Sequence, residues 1–150
     1  MIYLTKATKN WVVDDGWRIA PAGLLWIKEG YQIQVGESSR IGEGVEIGEA
    51  VHIGDEVTIG NWVRIGHGVM LTRAVTIGDG GTIDDAVYIG DGVTIGDLVD
   101  IGNWVDIGNW VDIGDGVIIG DRVEIGKEAI IGDRAIIRCG AKVAKFTVIY

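Results

Sequence analysis

Val105-Asp106-Ile107-Gly108-Asn109-Trp110-Val111-Asp112-Ile113-Gly114 opens the same six-residue phrase twice, and that phrase runs through most of the chain. Every sixth residue from Val35 to Ile149 gives twenty anchors: seventeen Ile, with Val35, Val143 and Leu71. Gly follows fifteen of them, and Val stands two places before thirteen. No residue is inserted or lost between Ile33 and Tyr150, so the hexad is a structural unit. Val-x-Ile reads as a three-residue strand with both apolar side chains on one face and x on the other. Gly and then Asp, Asn or Glu read as a corner, since these residues tolerate the left-handed backbone region. A helix is excluded, because period six scatters the anchors around all its sides and a Gly in each hexad opposes it. Strands this short persist only by pairing with equivalents above and below.

The motif is an aliphatic anchor, Gly, two variable residues and a small or β-branched residue. It recurs as Ile41-Gly42-Glu43-Gly44-Val45, Ile59-Gly60-Asn61-Trp62-Val63 and Ile119-Gly120-Asp121-Arg122-Val123. In these residues the chain resembles the hexapeptide-repeat, left-handed parallel β-helix superfamily of bacterial acyltransferases and γ-class carbonic anhydrases. The resemblance implies an all-β triangular β-solenoid over residues 33–150, with three hexads per coil and a left-handed winding. Twenty hexads then make between six and seven coils, a prism about 30 Å tall at the usual strand spacing. It implies little about chemistry, because one fold hosts many activities.

Residues 1–32 break the period. Trp11-Val12-Val13, Trp17-Arg18-Ile19 and Leu24-Leu25-Trp26-Ile27 read as short strands around turns at Asp14-Asp15-Gly16 and Pro21-Ala22-Gly23. The segment is expected to be an N-terminal cap over the first coil or an arm docking on a neighbour. At the other end, Phe146-Thr147-Val148-Ile149-Tyr150 stops inside a hexad, which predicts an exposed edge open to strand addition.

Charge excludes some partners. The total is −9, distributed as +1 over residues 1–32, −13 over 33–126 and +3 over 127–150. An acidic shaft of this kind argues against nucleic acid and against an anionic membrane. Its acidic start (Glu37, Glu43, Glu46, Glu49) and basic end suggest attraction between copies. No apolar run is long enough to span a bilayer, and the first residues lack a secretory pattern, so a cytoplasmic location is the default expectation. The single cysteine, Cys139, excludes an internal disulfide.

Sorting the outward x positions by eighteen gives three rows. Two turn apolar near their ends, at Ile118 and Ile136 and at Ile130 and Val148. With Phe146, Ile149, Tyr150, Trp104 and Trp110 these form the candidate interface, since such clusters are seldom left bare.

Candidate chemistry is sparse. The γ-class anhydrases implied by the resemblance need three His on zinc, whereas this chain has two, His52 on a face and His67 at a corner. No metal or cofactor is expected. Asp79, Asp97, Asp115 and Asp133 recur at eighteen and are read as turn residues rather than a calcium site. The acyltransferases implied by the resemblance use a His as general base, for which His67 is the candidate, with Glu49 one coil below to orient it. They commonly extrude a loop to build a pocket, and this chain has none. The expectation is therefore a non-enzymatic structural β-solenoid that self-associates, as a trimer through its side faces or head to tail as a filament. The alternative is an acyltransferase-like enzyme with an intersubunit site using His67. A consensus-like artificial sequence is a third reading, opposed by the irregular first 32 residues.

Overall fold

The computed structural model describes the backbone at residues 2–3, 12–14, 17–19, 24–28, 31–36 and 38–150, and side chains at 34–36 and 38–150. Twenty strands from Tyr31–Val35 to Val148–Ile149 wind as a left-handed parallel β-helix, three strands to a coil. Each strand pairs in parallel with the one eighteen residues on, as in Tyr88↔Asp106 and Ile89↔Ile107. Three sheets of seven, eight and nine strands form the three sides.

Most strands are two residues long, Asp106–Ile107 for example, rather than the three expected from Val-x-Ile. Val105 lies just before its strand, yet its carbonyl still accepts the Tyr88 N–H at 2.9 Å. The pattern is regular: an N–H in one coil donates to the carbonyl seventeen residues ahead. At corners the direction reverses, as where the Trp62 N–H donates to the Glu43 carbonyl.

The anchors fill the interior. Ile47, Ile53, Ile59 and Ile65 are fully buried, as are Val45, Val57 and Val75 from the position two before. Ser39 takes one such inward position and is buried with its hydroxyl satisfied, donating to the Gly54 carbonyl and accepting the Val57 N–H. Burial of each Val or Ile contributes about 1.5–3 kcal/mol, which stabilises a prism otherwise built of very short strands.

The corner chemistry corrects the expectation drawn from Gly. The residue in the left-handed region is the second corner residue, such as Ala50 (φ 55), Trp62 (φ 59) or Leu98 (φ 57). The Gly directly after the anchor is needed for space instead. A Cβ on Gly42 would lie 2.6 Å from the carbonyl carbon and oxygen of Gly60 in the next coil. The Asp or Asn between them satisfies backbone. Asp79 Oδ1 accepts the Asn61 N–H at 2.6 Å, Asp97 that of Asp79 at 2.7 Å, and Asp115 that of Asp97 at 2.8 Å.

Strands from residues 1–32 lie antiparallel on the first coil of every sheet. Ile2–Tyr3 pairs with Glu46–Ile47, Trp17–Ile19 with Arg40–Ile41, and Leu24–Lys28 with Tyr31–Val35. Trp11, Glu37 and the turns read at Asp15-Gly16 and Pro21-Ala22-Gly23 lie outside the described residues. No helix among the described residues is long and apolar enough to cross a membrane.

Candidate functional site

Stacked coils align every eighteenth residue, so outward side chains form rows one strand spacing apart. One row runs Gln34, His52, Met70, Tyr88, with register Gln34↔His52, His52↔Met70 and Met70↔Tyr88. Where this row meets the adjoining corner, four coils line an open cleft of about 540 Å3. Gln34, His52 and Met70 line it from the row, and Asp55, Arg73 and Asp91 from the corner.

Within the cleft, His52 Nδ1 lies 2.6 Å from Gln34 Oε1. With Gln34 Oε1 as acceptor, the matching tautomer carries its hydrogen on Nδ1 and leaves the Nε2 lone pair free. That is the protonation pattern of a general base. Arg73 is the cation of the lining and is tied to Glu56 at 2.9 Å, whose hydrogen bond and charge raise its pKa further. The Asp91 carboxyl is held below the usual aspartate range by the Thr72 side chain and by the Arg73 N–H, which donates to Asp91 Oδ1 at 3.0 Å. His52, Arg73 and Asp91 therefore share one opening.

His67 stands elsewhere, on a different corner. Its Nδ1 accepts the backbone N–H of Glu49 at 3.0 Å, and its own N–H donates to Asp85 Oδ1 at 2.7 Å. The ring thus fills the place that Asp or Asn fills in other coils. The partner it meets is the Glu49 backbone rather than the Glu49 carboxylate. With Nδ1 accepting, the neutral ring carries its hydrogen on Nε2, which leaves no free lone pair for proton abstraction. The group that meets His67 Nδ1 in this structure is thus the Glu49 N–H.

The interface candidates separate. Ile118, Ile130, Ile136 and Val148 face outward, and Ile136 is 70% exposed. Phe146, Trp104, Trp110 and Tyr150 are also exposed, and Lys127 and Lys145 approach the Phe146 ring at 5.9 and 5.7 Å. Ile149 points inward and packs against the core, as its anchor position dictates. The Trp110 ring covers Gly92, and the Trp62 ring covers Gly44. Among the described residues no group of three or more His, Cys, Asp or Glu is arranged to hold a metal ion.

Sequence reasoning misses Gln34, Arg73 and Asp91, and does not single out His52 above His67. The signal was available: extending the row of His52 back by one period of eighteen reaches Gln34.

With this geometry in hand, comparison with known proteins is informative. The family model described as the GMPPB C-terminal domain matches residues 30–137. No curated protein matches the chain. Among solved structures, the acetyltransferase domain of PglB from Neisseria gonorrhoeae, in complex with acetyl coenzyme A, is similar over 77% of this chain and 55% of its own. The identity is 18% and the TM-score 0.57. A UDP-N-acetylglucosamine acyltransferase from Francisella novicida is similar at 22% identity and TM-score 0.57, over 70% of this chain and 48% of its own. A product of Bacillus cereus named for its likeness to acetyltransferases gives 21% identity and TM-score 0.54 over 81% of this chain and 74% of its own. The chain spans about half the length of the first two. At these identities the likeness establishes the fold alone, a left-handed parallel β-helix.

The comparisons overturn the expectation of a non-enzymatic structural role, since the similar solved proteins named above are acyltransferases. The physical error was to equate the lack of an extruded loop with the lack of a pocket. Four plain coils make the cleft without one.

Proposed function

The chain belongs to the GMPPB C-terminal domain family, and from that premise we propose that it is an acyltransferase-like β-helix protein acting through the His52 cleft. The observation that carries this reading is the 2.6 Å contact between His52 Nδ1 and Gln34 Oε1 inside a cleft large enough for a small substrate. His52 Nε2 takes the proton of an acceptor amine or hydroxyl as its nitrogen or oxygen attacks the carbonyl of an acyl thioester. The tetrahedral adduct then collapses, the carbon–sulfur bond breaks, and the leaving thiolate receives the proton from the imidazolium. A positioned base of this kind contributes roughly 10²–10⁴-fold. Arg73, the cation in the lining, is placed to favour negative charge developing in the cleft. The similarity in fold to the acetyl coenzyme A complex of PglB supports a coenzyme A thioester as donor.

Self-association through a side face is consistent with this reading, and the outward pair Ile118 and Ile136, adjacent in register, supports it.

The test is release of free thiol from acetyl coenzyme A in the presence of a panel of primary amines and sugar hydroxyls. The expected result is acceptor-dependent thiol release. Absence of both release and acetyl coenzyme A binding by calorimetry would sink the reading.

A further inference from the structure

We infer that Gln34 is a positioning residue that sets the tautomer of His52 and that the N-terminal hairpin is thereby part of the site. The inference rests on the proposed acyl-transfer reading for its functional meaning, but its structural content stands on separate observations. Gln34 Oε1 meets His52 Nδ1 at 2.6 Å, across one parallel strand pairing. Gln34 itself lies on the strand Tyr31–Val35, whose other edge is paired antiparallel with Leu24–Lys28, with Leu25 opposite Gln34. The strand is therefore fixed from both sides, by the hairpin and by the second coil. A side chain on a doubly paired strand is held more firmly than one on a free edge.

The second histidine gives an internal contrast. His52 faces a carbonyl oxygen through Nδ1, whereas His67 receives a backbone N–H at Nδ1. The geometry assigns them opposite neutral tautomers: hydrogen on Nδ1 in His52 and on Nε2 in His67. A ring with its hydrogen fixed on Nδ1 presents Nε2 to the cleft as an acceptor of protons. Gln34 supplies that fixation with a neutral group, in contrast to the carboxylates Asp55 and Asp91 and the cation Arg73 across the same opening. An amide oxygen orients the imidazole without adding a charge that would trap it as imidazolium.

The hairpin consequence follows from register. Any change in the hairpin that slides Tyr31–Val35 by one residue against Val51–Ile53 sends Gln34 to the opposite face. The base would then lose its partner although the coils beyond it stayed intact.

The experiment is two-bond proton–nitrogen correlation NMR of the histidine rings in the full chain, at a pH where both are neutral, with His67→Gln for assignment. The expected spectrum shows hydrogen on Nδ1 of His52 and on Nε2 of His67. In Gln34→Leu the His52 ring should move to a mixture or to the Nε2–H form, while Gln34→Glu retains Nδ1–H. In thiol release, Gln34→Leu should lower kcat at least about tenfold with KM little changed. A wild-type His52 ring with hydrogen on Nε2, or a ring indifferent to Gln34→Leu in a variant that keeps the wild-type backbone spectrum, would overturn the inference. If the tautomers are as assigned but no acetyl coenzyme A turnover is found, the acyl-transfer reading fails and the Gln34 positioning stands.

Discussion

His67 Nδ1 accepts the Glu49 N–H at 3.0 Å, one coil away, in the manner in which Asp79 Oδ1 accepts the Asn61 N–H. The equivalence predicts that Asn, which offers an oxygen at similar reach, replaces His67 with little loss. His67→Ala leaves the Glu49 N–H to solvent and should cost about 0.5–1.5 kcal/mol. Chemical denaturation of the two variants against wild type checks this, and equal loss in both would contradict it.

Steric demand, not conformational freedom, fixes the Gly after each anchor. Gly42→Ala brings a Cβ to 2.6 Å from the Gly60 carbonyl, a backbone group that cannot swing aside. The coils must separate locally, and a loss of about 1–3 kcal/mol is expected in thermal or denaturant unfolding.

The second corner residue behaves in the opposite way. Ala50 is exposed and sits at φ 55, in the left-handed region. Ala50→Gly should be neutral or stabilising by up to about 1 kcal/mol, because relief of the left-handed strain offsets the added freedom of the unfolded chain. The same unfolding assay reads it; a loss of stability would count against the corner assignment.

Asp84 replaces Gly after the anchor Ile83, and its pKa is raised, first by burial and then by the neighbouring Asp85, Asp121 and Asp100. A carboxyl whose folded pKa is raised stabilises the fold below its unfolded pKa, and that contribution is lost as pH rises through the folded value. Asp84→Asn should therefore match wild type at pH below about 3.9 and gain in relative stability at neutral pH. Asp91, with its pKa lowered by Thr72 and Arg73, has the opposite sign: its contribution is present above the unfolded pKa and lost as pH falls. Midpoints of unfolding across this range test the Asp84 prediction, and a difference that shrinks with rising pH would refute it.

The anchors were legible because burial follows from period alone: Ile47 through Ile137 lie inward just where every sixth residue falls. The outward rows were legible too, since parallel in-register pairing preserves a spacing of eighteen. Corner geometry was not, because Trp62, Leu98, Arg122 and Phe146 all take the left-handed position. The coil imposes that conformation whatever the side chain, so residue type there carries almost no signal. The two histidines show the same limit. Each was visible as a residue, but whether Nδ1 gives or receives depends on a partner one coil away, an amide oxygen for His52 and a backbone N–H for His67. The cleft was missed because it needs neither insertion nor helix, only four stacked coils at a corner.

The most direct test is turnover of acetyl coenzyme A by His52→Ala and His67→Ala side by side, each shown to keep the wild-type fold. The account predicts that His52→Ala loses about 100-fold or more in kcat while His67→Ala stays within a few-fold of wild type. Loss confined to His67→Ala, or equal activity in both variants, would contradict it.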